Sequence, residues 1–261
     1  MFAAVTAGKA GIGMTAQAHD TIAPATATRP TRRASVNVIQ LTQRDIDGLL
    51  LCGEHYAAPY DLLEDALRVP PGRLPAILRR WRRTGYAATG RLGTGPGWCW
   101  LTRDGMAATG LGFPAVQPAL GRLAHIRAVL AARLWLETNP GWSSGHAWWH
   151  SERRLRADQP AAGRGGHVPD AEIHWPSIPG SRYGGQVWAV EVERTPKPVA
   201  RTIRIMSELV TFRQYSLVVY LTASAARSVV TRAVASLPPD DQPRIAVRDL
   251  PATALTPEPA R

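Results

Sequence analysis

Two rhythms of apolar residues run along this chain. Over residues 39–85 they recur three and four apart, the spacing of a helix face, and over residues 168–193 they alternate as in strands. The run VIQLTQRDIDGLLLCGEHYAA predicts a helix with Thr42 as N-cap and Asp45 at its third position. Leu41 is expected to staple onto Ile46, and Ile46, Leu49 and Leu50 to form the apolar face. Pro59 opens a second helix, PYDLLEDAL, with Leu62, Leu63 and Leu67 inward. After RVPPG, Leu74, Ile77, Leu78 and Trp81 predict a third helix, stopped by Gly85. Arg73, Arg79, Arg80, Arg82 and Arg83 take its other positions. AATGRL and WCWLTRDG, on either side of GTGPG, read as two strands around a turn.

Beyond a short helix and a linker at 113–118, ALGRLAHIRAVLAARLWLETNPG predicts a long helix. Its stripe is Leu120, Leu123, Ile126, Leu130, Leu134 and Leu136, and Asn139-Pro140-Gly141 ends it. GHAWWHSERRLR is expected as a strand with Trp148, His150 and Glu152 on one face. In VPDAEIHW, Val168, Asp170, Glu172 and His174 share a face opposite Pro169, Ala171, Ile173 and Trp175. In QVWAVEVERTPK, Trp188, Val190 and Val192 oppose Val187, Ala189, Glu191 and Glu193, so pairing of the two strands brings Asp170 near Glu191 and Glu193. A helix follows with Ile203, Ile205, Met206 and Leu209 inward, then the apolar strand SLVVYLTAS, a helix AARSVVTRAVASL and a strand RIAVRDL. This order predicts an α/β fold with a mixed central sheet flanked by helices over 119–250. Residues 1–38, a basic arm with Arg29, Arg32 and Arg33, and residues 251–261 show no period and are expected to be disordered.

Composition narrows the partner class. The 261 residues are 45% hydrophobic, enough for one large domain or two modest ones. A net charge of +11 favours a polyanionic partner. Nearly all of that charge is arginine, Lys9 and Lys197 being the only lysines, and a GC-rich genome produces the same bias, so its placement matters more than its sum. Cys52 and Cys99 form no CxxC pair, which argues against a zinc ribbon or a disulfide framework and fits a cytoplasmic protein. No apolar run has the length of a membrane span, and the first residues lack a secretory apolar core. GTGPG lacks a following Lys-Ser/Thr and there is no GxSxG, which excludes a P-loop and an acyl-transfer elbow. His146, His150 and His167 lack zinc-finger spacing and read as partly buried or supporting residues.

Three helices, the third basic, followed by strand, turn and strand predict a winged helix-turn-helix over 39–112. Arg73, Arg79, Arg80, Arg82, Arg83 and Arg91 would then contact double-stranded DNA. The plainer reading is a solvated basic face. The acidic strands call for a cation between neighbouring carboxylates. Mg²⁺, replaceable by Mn²⁺, suits ligands Asp170 and Glu191 with Glu152, Glu172 or Glu193 completing the shell, while Lys197 stabilises developing negative charge. Alternatively, the acids pair with Arg153, Arg154, Arg182 and Arg194.

The second half resembles the PD-(D/E)xK nuclease-like superfamily. Pro169-Asp170 matches the opening of its motif and Glu191 the second acid; Glu193 stands where the motif has lysine, and Lys197 lies four positions on. Over residues 39–225 the chain is similar to the replication-relaxation family of actinobacterial and plasmid-borne proteins, through LTQRD, RRWRRTGY, WCWLTRDG, WWHSER, VPDAEI and VEVERTPK in that order. The resemblance implies a winged helix followed by a nuclease-like domain with catalytic Asp170, Glu191, Glu193 and Lys197, acting in plasmid replication or mobilisation in the cytoplasm. The expectation is a DNA-binding protein that cuts DNA with Mg²⁺. Its rivals are a non-catalytic regulator or accessory factor that works with replication or mobilisation proteins, and a repressor that forms a homodimer through its second domain.

Overall fold

Capping chemistry sets the start of α1 (Gln43–Glu54). The Thr42 hydroxyl accepts from the Asp45 amide at 3.3 Å, and the Asp45 carboxylate accepts from the Thr42 amide at 2.8 Å, a reciprocal box. Asp45 is itself buried, so α1 turns the face carrying Asp45, Gly48, Leu49 and Cys52 inward. Ile46, one residue on, is thereby rotated out and is 37% exposed, which corrects its expected place on the apolar face.

The computed structural model describes residues 40–93, 95–138, 142, 146–159 and 166–255. The basic arm, the Asn139-Pro140-Gly141 stop, Thr94 of the turn and residues 256–261 of the tail lie outside them.

A two-residue strand β1 (Ala58–Pro59) leads into α2 (Tyr60–Leu67), which buries Leu62, Leu63 and Leu67 as its spacing predicts. The third helix, α3 (Leu74–Arg83), buries Leu74, Ile77, Leu78 and Trp81. It stops in a Schellman motif: Gly85, at φ +75°, donates to the Arg82 carbonyl and Tyr86 to the Trp81 carbonyl, both at 3.0 Å. Strands β2 (Ala87–Arg91) and β3 (Gly97–Leu101) pair antiparallel, and β1 adds to the free side of β3. Helix α4 (Arg103–Thr109) is capped by Thr102.

The long helix α5 (Leu123–Glu137) begins later than its stripe suggests. Leu120 sits in a preceding 3-10 turn and is 66% exposed, and Leu134 and Leu136 are half-buried, whereas Leu123, Ile126 and Leu130 are buried. Arg127, Ala128, Ala131 and Ala132 are buried too, because α5 has neighbours on opposite sides: α2 and β1 on one, β6 of the larger sheet on the other. Among these, Arg127 is tied to Asp61 of α2 at 2.9 Å and to the Leu255 carbonyl at 3.0 Å. The tail therefore starts ordered: Ala252–Ala254 form a turn against α5, correcting the expectation of disorder from 251.

The larger sheet runs β4 (Trp148–Ser151), β5 (Ala171–His174), β6 (Val187–Glu193), β7 (Leu217–Thr222) and β8 (Ile245–Asp249) in spatial order. Its first two joints are antiparallel and its last two parallel, making the protein a mixed α/β structure. β4 ends early because Ser151 caps α6 (Glu152–Asp158), its hydroxyl accepting from the Arg154 amide at 3.3 Å. Glu152 therefore opens a helix instead of continuing the strand face of Trp148 and His150, which corrects its expected place. Helix α7 (Val199–Ser207), continued by a π turn at Glu208–Phe212, and α8 (Ser224–Ala235) cover the face of β6–β8 opposite α5. Ile205, Met206 and Leu209 are buried there, with Ile203 half-buried.

A single cluster of buried side chains extends from Leu49, Leu63 and Trp81 through Ala128 and Leu130 of α5 to Ile173, Val190 and Leu221 of the sheet. Phe113, in the expected linker, is buried in it, with the Arg153 guanidinium 4.9 Å above its ring. Arg153, only 5% exposed, also donates to the Gly53 carbonyl at 2.6 Å. The first-half helices and the sheet thus share their packing.

Candidate functional site

The basic face of α3 follows from its amphipathic spacing. With one side committed to the core, Arg79, Arg82 and Arg83 recur at i, i+3 and i+4 on the exposed side. Together with Ala76 they line one concave patch, and among the described residues none of the three forms an ion pair. Arg73 and Arg91 are also exposed, at the start of α3 and the end of β2. Arg80 differs: it reaches the buried Asp45 carboxylate. That carboxylate also accepts from the Trp81 indole at 2.8 Å. Burial alone would push the Asp45 carboxyl up, but Arg80, Thr42 and Trp81 hold it below its ordinary value.

The acidic row lies at the end of β5 and β6: Glu191 alternates with Ala189 onto the face that α7 and α8 cover, while Asp170, just before β5, reaches α5. One step beyond the Ala171–Val190 pair, the antiparallel ladder sets Asp170 beside Glu191, and the parallel ladder sets Glu191 beside Tyr220. Asp170 accepts from the Val192 amide at 2.7 Å and bonds His125 Nε2 of α5 at 2.9 Å. Glu191, fully buried, bonds His167 Nε2 at 2.7 Å. The Tyr220 hydroxyl is buried with no hydrogen-bond partner among the described residues. Lys197 reaches back to pair with Glu193.

Burial pushes the Glu191 carboxyl up, and Asp170 adds to this against the lowering pull of His167 and Lys197, leaving it at about 7. Burial would lower His125 and His167, but Asp170 and Glu191 respectively outweigh it and raise both. Because the folded protein holds the Glu191 proton more tightly than an unfolded chain at 4.5, the associated stability is present below about 4.5 and is lost as pH rises toward 7. Glu191→Gln is therefore expected to exceed the parent in stability by on the order of 2 kcal/mol at about pH 8, with the two converging in acid near the ordinary carboxylate range. Urea unfolding at both pH values reads this; a gap independent of pH would contradict a crowded, buried carboxyl at position 191.

The expected trio Asp170, Glu191 and Glu152 is not drawn to one point. Glu152 is held by Arg122 at 3.1 Å and Arg156 at 2.8 Å, although it lines a small cavity with His125 and Asp170. Among the described residues, three ligand atoms within 4.8 Å of one another occur instead at His150, Glu172 and His174, a group that could hold a metal ion. The ladder explains it: β4 pairs with β5 so that His150 faces Glu172, and His174 lies two residues along the same face. The alternation placed Glu172 and His174 together, but only the β4–β5 pairing adds His150. Nothing in the spacing of α5 signals His125, since a helix reaches a strand end only through packing.

Scans against protein-family models, characterised proteins and solved structures each found no match. No helix among the described residues is long and apolar enough to cross a membrane.

Proposed function

We propose that this protein binds double-stranded DNA through α3 and the β2–β3 hairpin, in the manner of a winged helix. In this reading the Asp170–Glu191 row cuts a phosphodiester with Mg²⁺, in plasmid replication or mobilisation. The observation that carries the reading is one helix whose apolar side is fully used by the core while its other side offers Arg79, Arg82 and Arg83 without acidic partners among the described residues. Three exposed arginines and no acid on α3, with Arg80 paired to Asp45, make that helix face a concentrated positive surface even within a basic chain.

The donor chemistry at the acidic row fits Mg²⁺. One or two carboxylates suffice for this ion when substrate phosphate and water supply the rest, and the Glu191 carboxyl, lifted by burial and by Asp170, gains from a cation beside it. Asp170 and Glu191 would hold it; when bound it neutralises a phosphate oxygen and acidifies a water. The chain's own residues orient these groups. His125 and the Val192 amide fix Asp170, His167 fixes Glu191, and Lys197 adds a positive charge whose field reaches Glu191.

Incubation of supercoiled plasmid with the protein and Mg²⁺ or Mn²⁺ is expected to yield nicked or linear product. Asp170→Ala and Glu191→Ala should slow this by about a hundredfold or more, since the metal contributes several kcal/mol of charge stabilisation. A second reading, a non-catalytic DNA-binding regulator or replication accessory factor, draws on the Glu193–Lys197 pair, which engages the lysine that cleavage would use. If wild type and both variants leave the plasmid equally intact, the second reading replaces the first.

A further inference from the structure

We infer that His150, Glu172 and His174 form a second cation site, for a borderline divalent ion of the Zn²⁺ class, distinct from the acidic row proposed for Mg²⁺. Three observations meet there. The strand register alone sets the ligands on one face, His150 opposite Glu172 and His174 next along β5. The two imidazole rings lie with centroids 4.3 Å apart, and the three ligand atoms lie within 4.8 Å of one another. Bonds of about 2.0–2.1 Å to a tetrahedral Zn²⁺ put its ligands roughly 3.3 Å apart, a separation that side-chain rotation reaches from this arrangement.

The donor set selects the ion. Two imidazoles and one carboxylate make the three-residue set of open zinc sites, with a fourth position left for water or a ligand, whereas Mg²⁺ prefers oxygen alone. Neighbours hold the ligands in place. The Tyr215 hydroxyl donates to the Glu172 carboxylate, fixing its orientation. The Trp148 ring stacks on His174 at 5.4 Å and 20°, while its indole N–H donates to His150 Nε2 at 3.1 Å, a bond that a cation taking that nitrogen would replace. His174 Nε2 lies 2.7 Å from Glu172 Oε2, so a proton occupies the gap between them; a cation entering here displaces that proton. β4 is the edge strand of the sheet, and an ion bridging His150 to Glu172 and His174 would clip that edge to β5.

The test is a Zn²⁺ titration of the full chain, dialysed against chelator, by calorimetry or by competition with a chromophoric chelator. One equivalent is expected, lost in His150→Ala and His174→Ala, retained in Asp170→Ala, and weakened about tenfold or more in Tyr215→Phe. Co²⁺ supplies a readout on the unmutated protein: intense visible bands of a low-coordinate site, and quenching of tryptophan emission that is lost in Trp148→Phe while Zn²⁺ still binds. Absence of stoichiometric Zn²⁺ binding and of Co²⁺ bands from the wild type would overturn the site. So would binding that survives His150→Ala together with His174→Ala, or binding that disappears with Asp170→Ala.

Discussion

Replacing Arg79, Arg82 and Arg83 together by alanine is expected to weaken duplex DNA binding by roughly a thousandfold, taking about 1.5 kcal/mol for each charge-assisted contact. The salt dependence should change with it. If each arginine neutralises one phosphate, the slope of log K against log salt becomes shallower by roughly 2.7. The fold should survive, because all three side chains are exposed on α3 and the face that holds the helix is Leu74, Ile77, Leu78 and Trp81. Fluorescence anisotropy on a labelled duplex at several salt concentrations measures both quantities. Unchanged affinity with an unchanged slope would move the DNA surface away from α3. Arg80→Ala is the informative contrast: its partner is Asp45, so its removal should cost stability more than binding.

Asp45→Ala is expected to destabilise the protein by about 3 kcal/mol, a loss on the scale of a large core truncation. The variant loses the N-cap box, worth about 1 kcal/mol, and leaves the buried Trp81 indole without its acceptor, which costs about 1–3 kcal/mol. It also strands the Arg80 guanidinium, which is partly solvated and so adds less than a fully buried partner would. Urea unfolding at neutral pH reads the loss. Because the Asp45 carboxyl is held below its ordinary value, its contribution is present at neutral pH and is lost as pH falls through that lowered value, so wild type and variant should converge in acid. Asp45→Asn, which keeps an acceptor for the cap and the indole, should fall between them. A loss under about 1 kcal/mol for Asp45→Ala would mean the network is not cooperative.

Both predictions start from the same helix pair, and they show how one residue type divides its roles. Arg79, Arg82 and Arg83 face outward, while Arg80, set on the flank of the helix, is drawn to a buried acid. The acidic row behaves similarly. Glu193 and Lys197 satisfy each other, whereas Asp170 and Glu191 lean on histidines from elsewhere in the chain.

Local rules were enough to place much of this protein. The capping box at Thr42, the α3 face and its glycine stop, the alternation in β5 and β6, and the continuous apolar run of β7 each depend on residues within a few positions of one another. Those interactions form wherever the chain goes, and so they are legible in order along it. The adjacency of Asp170 and Glu191 was legible as well, because two alternating strands allow few pairings. Other features depended on which elements pack together. Ile46 turned outward because Asp45 found Trp81 and Arg80 some 35 residues away. Glu152 left its strand because Ser151 capped a helix, and Ala252–Ala254 became ordered because Arg127 of α5 bonds the chain just beyond them. The three-ligand cluster needed the β4–β5 register, since His150 lies about twenty residues before Glu172 and His174, and no local spacing links them. Side-chain chemistry and period are local properties and can be read from the chain itself; long-range register, burial and the company each charge keeps arise only when distant segments share one core.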